Sequence, residues 1–319
     1  MQPKYINTDE FTLESGWLNT DDGHQVWYES WGNKDAKIPI FIFHGGPGGR
    51  FKDKHKYNFD PEIHHVIGFD QRGCGNSLPY GSIKNNTTAD LISDAKNILD
   101  KLGVGRVHIF GGSWGSTLGL LFAMEHPDMI EDIILRGIYL GTRTEIDWLD
   151  RGDFKNFYPE VWERFKDSVP KEHRADPASY HYEVLSGEDE SEINHSAKAL
   201  DDLESPTIGF DWQGYDKKIK KDTDPNSALI EYDAVPYKIF GHYFKNECFL
   251  AANYIIENAG KIKAPLYMVQ GRYDMACPPI TAYNLHKAVP GSKLFITLGS
   301  HSLDPENRTA LKVLTETLY

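Results

Sequence analysis

Short apolar runs mark both ends of the chain, separated by polar turns. Gln25 to Trp31 (QVWYESW) follows the turn Asp21-Asp22-Gly23, and Lys37 to Phe43 (KIPIFIF) is almost continuously apolar. His64 to Phe69, Arg106 to Phe110, Asp132 to Leu135, Pro265 to Gln270 and Lys293 to Leu298 repeat the pattern. Such runs suit strands covered on both faces, as in a parallel sheet flanked by helices. Between two of them, Leu91, Ala95, Ile98, Leu99 and Leu102 recur at helical spacing, with Thr88 as the expected N-cap and Gly103 as the stop. The stretch Ser116 to His126 precedes another run. Strand–helix alternation at both ends predicts one α/β architecture with a doubly wound, mostly parallel sheet.

The middle reads differently. From Gly141 to about Lys261 the β-rich runs vanish, and Trp148, Phe154, Phe157, Tyr158, Trp162 and Phe165 sit among charges at helix-like spacings. The pattern predicts an inserted, mainly helical cap over 141–261, with 1–140 and 262–319 forming the core. Ser186 to Glu192 (SGEDESE) reads as an acidic loop, and Asp222-Thr223-Asp224-Pro225-Asn226 as a turn.

Composition narrows the function. The 319 residues carry 47 acidic and 34 basic side chains, a net charge of -13. That balance repels phosphate backbones, excludes a nucleic-acid partner and is compatible with a cationic substrate. Three cysteines, Cys74, Cys248 and Cys277, make neither a disulfide framework nor a zinc motif. The 13 histidines are scattered without metalloprotease spacing, so no metal or cofactor is expected. No apolar run is long enough to span a bilayer, and the first ten residues are polar. A cytoplasmic protein with no membrane partner is expected, and the sequons beginning at Asn85, Asn86 and Asn307 then read as chance strings.

The sharpest chemical signal is Gly111-Gly112-Ser113-Trp114-Gly115, which fits G-x-S-x-G. It follows the strand-like run ending at Phe110 and precedes a helix-compatible stretch, the context this turn requires. Ser113 is therefore the expected nucleophile. A serine hydroxyl needs a base, and the order serine, acid, histidine is completed by Asp274 and His301. Asp274 follows the run Pro265 to Gln270, and His301 follows Lys293 to Leu298. Both positions fall where a parallel sheet presents its carboxyl-end loops to ligands. Asp274 would fix the imidazole tautomer, and His301 would take and return the Ser113 proton.

An acyl oxyanion needs two backbone donors. The N–H of Trp114 is one, and His44-Gly45-Gly46-Pro47-Gly48-Gly49 after the run ending at Phe43 supplies the other. Gly46 is favoured, with Gly45 as second choice; His44 is expected to support the loop. A phosphate-binding reading fails because no Lys-Ser/Thr follows. In Asp70-Gln71-Arg72-Gly73-Cys74-Gly75-Asn76-Ser77, Asp70 and Arg72 are expected to brace the loop as an ion pair, with substrate contact as the alternative.

Taken together, these strings and Gly271-Arg272-Tyr273-Asp274 and Gly299-Ser300-His301 resemble the proline iminopeptidase (prolyl aminopeptidase) family of serine peptidases. The resemblance implies an α/β-hydrolase core under a helical cap, no metal or cofactor, and hydrolysis that frees an N-terminal residue, typically proline. Its substrates are small peptides or arylamides. That family carries a Trp-Glu pair in the cap, whose Glu meets the substrate ammonium. Here Ala197 to Glu204 is similar to that segment, so Glu204 matches while Leu203 replaces the Trp. A second family Glu precedes Asn-His-Tyr-Phe; in Ile239-Phe240-Gly241-His242-Tyr243-Phe244, Phe240 takes the carboxylate position. The departure leaves open a carboxylesterase or amidase with relaxed amine selectivity. An inactive binding module is the remaining alternative.

Overall fold

The computed structural model describes residues 8–210 and 233–316. The strands are β1 (Thr12–Asn19), β2 (Gln25–Gly32), β3 (Ile40–Phe43), β4 (His65–Phe69), β5 (Val107–Ser113), β6 (Ile130–Ile138), β7 (Leu266–Gly271) and β8 (Lys293–Thr297). They form one sheet in the spatial order β1-β2-β4-β3-β5-β6-β7-β8. The β1–β2 and β2–β4 pairs are antiparallel, and every later pair is parallel. The core helices are α1 (Asp53–Lys56), α2 (Thr88–Lys101) and α3 (Trp114–Glu125). Between β6 and β7 come α4 (Arg143–Asp150), α5 (Pro159–Asp167), α6 (Pro177–Leu185), α7 (Glu190–Ile208), α8 (Val235–Lys245) and α9 (Tyr254–Glu257). The chain closes with α10 (Pro279–Ala288) and α11 (Pro305–Thr315).

The run Ile40-Phe41-Ile42-Phe43 shows why a central strand is apolar throughout. Phe41 and Phe43 pack with Phe69, Leu118 and Phe122 on one face. Ile40 and Ile42 pack with Trp31, Phe110 and Leu311 on the other. Successive side chains point to opposite faces, and helices cover both. Every residue from Trp114 to Met124 in α3 is buried, which fits a helix that is apolar all round.

Several sequence expectations shift. The α2 N-cap is Thr87, not Thr88: its side chain accepts from Asp90 N–H while the Asp90 carboxylate answers the Thr87 N–H, a capping box. The acidic stretch Ser186 to Glu192 is only partly a loop. Asp189 caps α7, accepting from the N–H groups of Ser191 and Glu192, so Glu190 and Glu192 lie in the first helical turn. Carboxylates are stabilised there by the helix dipole. β8 is largely exposed, unlike a doubly covered strand, because it closes the sheet edge. The expected turn Asp222 to Asn226 lies outside the described residues.

No strand interrupts 141–261 among the described residues, in keeping with a helical insertion. No described helix is long and apolar enough to cross a membrane.

Candidate active site

The sheet order places the ends of β3, β5, β7 and β8 on one edge, and the candidate residues follow those ends. Ser113 closes β5 with φ 57° and ψ -131°, a backbone state that costs a residue with a Cβ about 1–3 kcal/mol. The flanking glycines are dictated by space. A Cβ on Gly115 would lie 2.1 Å from the Phe43 carbonyl oxygen, and one on Gly111 would lie 2.4 Å from the Gly115 carbonyl oxygen. The bend thus packs β5 and α3 too closely for any side chain at either position. Trp114 opens α3, and the first N–H groups of a helix have no intrahelical acceptor.

Asp274 and His301 meet. His301 Nδ1 lies 2.9 Å from Asp274 Oδ2 and 3.1 Å from Oδ1. A ring nitrogen facing a carboxylate carries the proton, so the network assigns hydrogen to Nδ1 and leaves Nε2 as the base. The carboxylate is held from other sides as well. Oδ1 accepts from the N–H groups of Ala276 and Cys277 at 3.1 and 2.7 Å, and Oδ2 accepts from Gln270 Nε2 at 3.1 Å. Gln270, fully buried, also donates to the Cys277 carbonyl and accepts from Ile138 N–H. Cys277 also lies near the nucleophile, since the Ser113 side chain acts on its thiol. Among the described residues, Asp274, Cys277 and His301 alone form a trio with metal-ligand atoms within 4.8 Å of one another. In that trio the acid and imidazole are engaged with each other, and burial raises the thiol pKa well above its ordinary value.

The glycine loop lies against the elbow. A Cβ built on Gly45 would stand 3.3 Å from Ser113 Cβ, so Gly45, the second choice of donor, is the loop residue packed against the nucleophile, with Gly46 next along the chain. His44 holds this loop from beneath. Its Nε2 accepts from Gln71 N–H at 3.1 Å, and its Nδ1 lies 2.8 Å from the Gly45 carbonyl. Gln71 in turn donates to the His44 carbonyl and accepts from Trp114 Nε1 at 2.9 Å. Burial lowers the His44 pKa to about 4, so the ring is neutral at pH 7. Gln71 therefore ties both expected oxyanion donors to one scaffold.

Asp70 and Arg72 brace their loop, but not as the ion pair expected. Asp70 accepts from the N–H groups of Phe51 and Asn76, both at 2.7 Å. Arg72 turns away to Asp94, at 2.6 and 2.9 Å, and to Asp22 at 2.6 Å. Two separate anchors replace one pair, because the backbone amides already satisfy Asp70.

Glu204 on α7 and Phe240 on α8 line one cavity of about 490 Å³ together with Gly46. Glu204 accepts from Tyr237 Oη, 3.1 Å away. Phe240 is buried and stacks on Phe244 at a ring separation of 3.9 Å. Asp233 lines the same cavity and accepts from Tyr80 Oη. Pro236 seats α8 on the glycine loop: a Cβ on Gly48 would lie 2.1 Å from the Pro236 carbonyl oxygen.

Sequence reading missed Gln71, Gln270 and Arg136. Arg136 donates to the His301 carbonyl at 2.6 Å, and its Nε would stand 2.7 Å from a Cβ on Gly112. The available signal was a lone polar residue inside or ending an apolar strand, as in IILRGI and LYMVQG.

The pattern describing the alpha/beta hydrolase fold matches residues 38–303. A proline iminopeptidase of Xylella fastidiosa is 36% identical over 315 residues, covering 95% of this chain and 96% of the relative. The chain belongs to the proline iminopeptidase family of α/β-hydrolases. A further family member, from Neisseria gonorrhoeae, is 35% identical over 303 residues and 94% of each chain. Among solved structures, an alpha/beta hydrolase enzyme from a Medee basin deep-sea metagenome aligns with a TM-score of 0.66. It covers 92% of this chain and 94% of its own at 19% identity, a likeness of fold.

Proposed function

We propose that this serine hydrolase is an aminopeptidase releasing an N-terminal residue, proline foremost, from small peptides or arylamides. The reading is supported by the strained Ser113 elbow at the end of β5, the Asp274–His301 pair, and Glu204 in the cavity that Gly46 also lines. Ser113 Oγ attacks the carbonyl carbon of the N-terminal residue while His301 Nε2 takes the hydroxyl proton. The N–H groups of Gly46 and Trp114 hold the tetrahedral oxyanion. The C–N bond then breaks, and His301 returns the proton to the leaving amine. Water attacks the acyl-serine ester with His301 again as base, and the free amino acid departs. Asp274 holds the tautomer and stabilises the transient imidazolium. Glu204 pairs with the substrate ammonium, and residues 141–261 form the cap that supplies it. The steps draw on no cofactor.

A second reading, an esterase or amidase with relaxed amine selectivity, is favoured by the buried Phe240, which lends apolar surface to the cavity. A panel of aminoacyl arylamides and simple acyl esters, each amine free or blocked, separates the two. Cleavage confined to free-amine substrates supports the aminopeptidase; equal cleavage of N-blocked substrates or preference for esters overturns it.

A further inference from the structure

The cavity beside the glycine loop carries charges of both signs. Glu204 and Asp233 contribute carboxylates from the helical insertion, and Arg50 and Lys52 contribute cations from the segment just after the glycine loop. Both cations are exposed, and neither forms a salt bridge with a described residue. Lys56, four positions further on, is instead buried against Glu29 and Asp53. On a chain of net charge -13, two exposed cations outside any salt bridge among the described residues, at the mouth of one cavity, can receive an anion from outside.

The chemistry of the substrate says which anion. An aminopeptidase holds one residue before the bond it cuts, so the rest of the cavity faces the leaving peptide. In a dipeptide the terminal carboxylate stands only one residue beyond that bond. An Arg guanidinium presents a fork matched to a carboxylate, and a Lys ammonium adds a point charge. We propose that Arg50 and Lys52 form a subsite for the C-terminal carboxylate of a short peptide, so that the enzyme reads its substrate as a zwitterion. The inference rests on the aminopeptidase reading above, since it takes Glu204 as the partner of the amine. It makes dipeptides with both termini free the favoured class, ahead of longer peptides that present a neutral amide at the same place.

The test compares kcat/KM for prolyl-alanine and prolyl-alanine amide, with a free-amine prolyl arylamide as a third substrate. Unmodified enzyme and the R50Q, K52Q and double variants are measured at low and high salt. The unmodified enzyme should favour the acid over the amide by about three- to tenfold, a modest factor because exposed charges are screened. The preference should reside in KM, shrink with added salt and disappear in the double variant. If acid and amide are cleaved equally at low salt, or the double variant keeps the preference, while the arylamide is still cleaved, the subsite is refuted and the aminopeptidase reading stands. Cleavage of esters with no cleavage of free-amine substrates overturns both.

Discussion

Ser113 is held in a strained conformation between two glycines that no other residue can replace, and such strain persists where the side chain must be presented. Ser113→Ala should abolish labelling by an organophosphonate and lower turnover by about 10⁴-fold or more, leaving what binding and the oxyanion donors supply. Asp274→Asn should lose activity strongly while the fold persists, because an amide favours the wrong imidazole tautomer; near-normal turnover in either variant removes the triad. Cys277 gives a second outcome. It is buried beside Asp274 and Ser113, and burial raises its thiol pKa, so alkylation, which needs thiolate, should be slow. A mercurial should bind slowly and inhibit partially by displacing the acid loop. A Cys277→Ser enzyme that is active and equally sensitive would point to Cys74 or Cys248. The candidate nucleophile, base and acid were legible because each combines a reactive residue type with a strand end. Gln71 and Arg136 were not, since their value lies in partners far along the chain: Arg136 reaches the His301 carbonyl, and no local pattern announces such a contact.

Elements were legible in proportion to their burial. β3 to β7 and α2 stand out because tertiary packing writes a continuous or periodic apolar signal. β1, Thr12–Asn19, went unread because it is an edge strand with only two of its eight residues less than exposed, so it lacks that signal. The acidic start of α7 was mistaken for loop because carboxylates serve solvent and helix N-termini alike. The helices α7 and α8 carry the specificity prediction, since one brings Glu204 and the other Phe240 to a single cavity. An unpaired ammonium there costs several kcal/mol, and one charged hydrogen bond restores about 1.5–3 kcal/mol, or roughly ten- to over a hundredfold in selectivity. Phe240→Glu should raise the preference for free N-terminal proline over an N-blocked analogue, and Glu204→Gln should lower it. If Glu204→Gln leaves the preference intact, the amine is held elsewhere. Asp233 is then the first candidate, because it shares the cavity. Glu247 is exposed and is not among the cavity's lining residues, and Glu231 lies outside the described residues.

The molecule as a whole balances buried titratable groups of opposite tendency, and two in the helical insertion make the balance measurable. His181 on α6 is buried between Ser168 and Ser196, at 2.9 and 3.0 Å, and burial lowers its pKa to about 4. Asp150 at the end of α4 accepts from Tyr182 Oη at 2.6 Å, and burial raises its pKa to about 7. The signs are opposite. A histidine whose folded pKa is depressed contributes stability that is present above its unfolded pKa, near 6.5, and is lost as pH falls towards 4. A carboxyl whose folded pKa is raised contributes stability that is present below its unfolded pKa, near 3.8, and is lost as pH rises towards 7. Each contribution has an upper bound of about 3–4 kcal/mol. Other buried groups titrate over the same range, His44 and Asp70 among them, so the unmodified protein's own pH profile isolates neither group. The difference between variant and unmodified protein isolates each group. His181→Gln, which keeps hydrogen bonds without a titrating ring, should gain stability relative to the unmodified protein as pH falls from about 6.5 to about 4. Asp150→Asn should gain relative stability over the reverse journey, from about 4 to about 7. Denaturant midpoints measured across that range should therefore give difference curves of opposite slope. Flat or parallel curves would show that the two groups titrate alike in the folded and unfolded chains, and the buried charge balance would then have to lie elsewhere in the core.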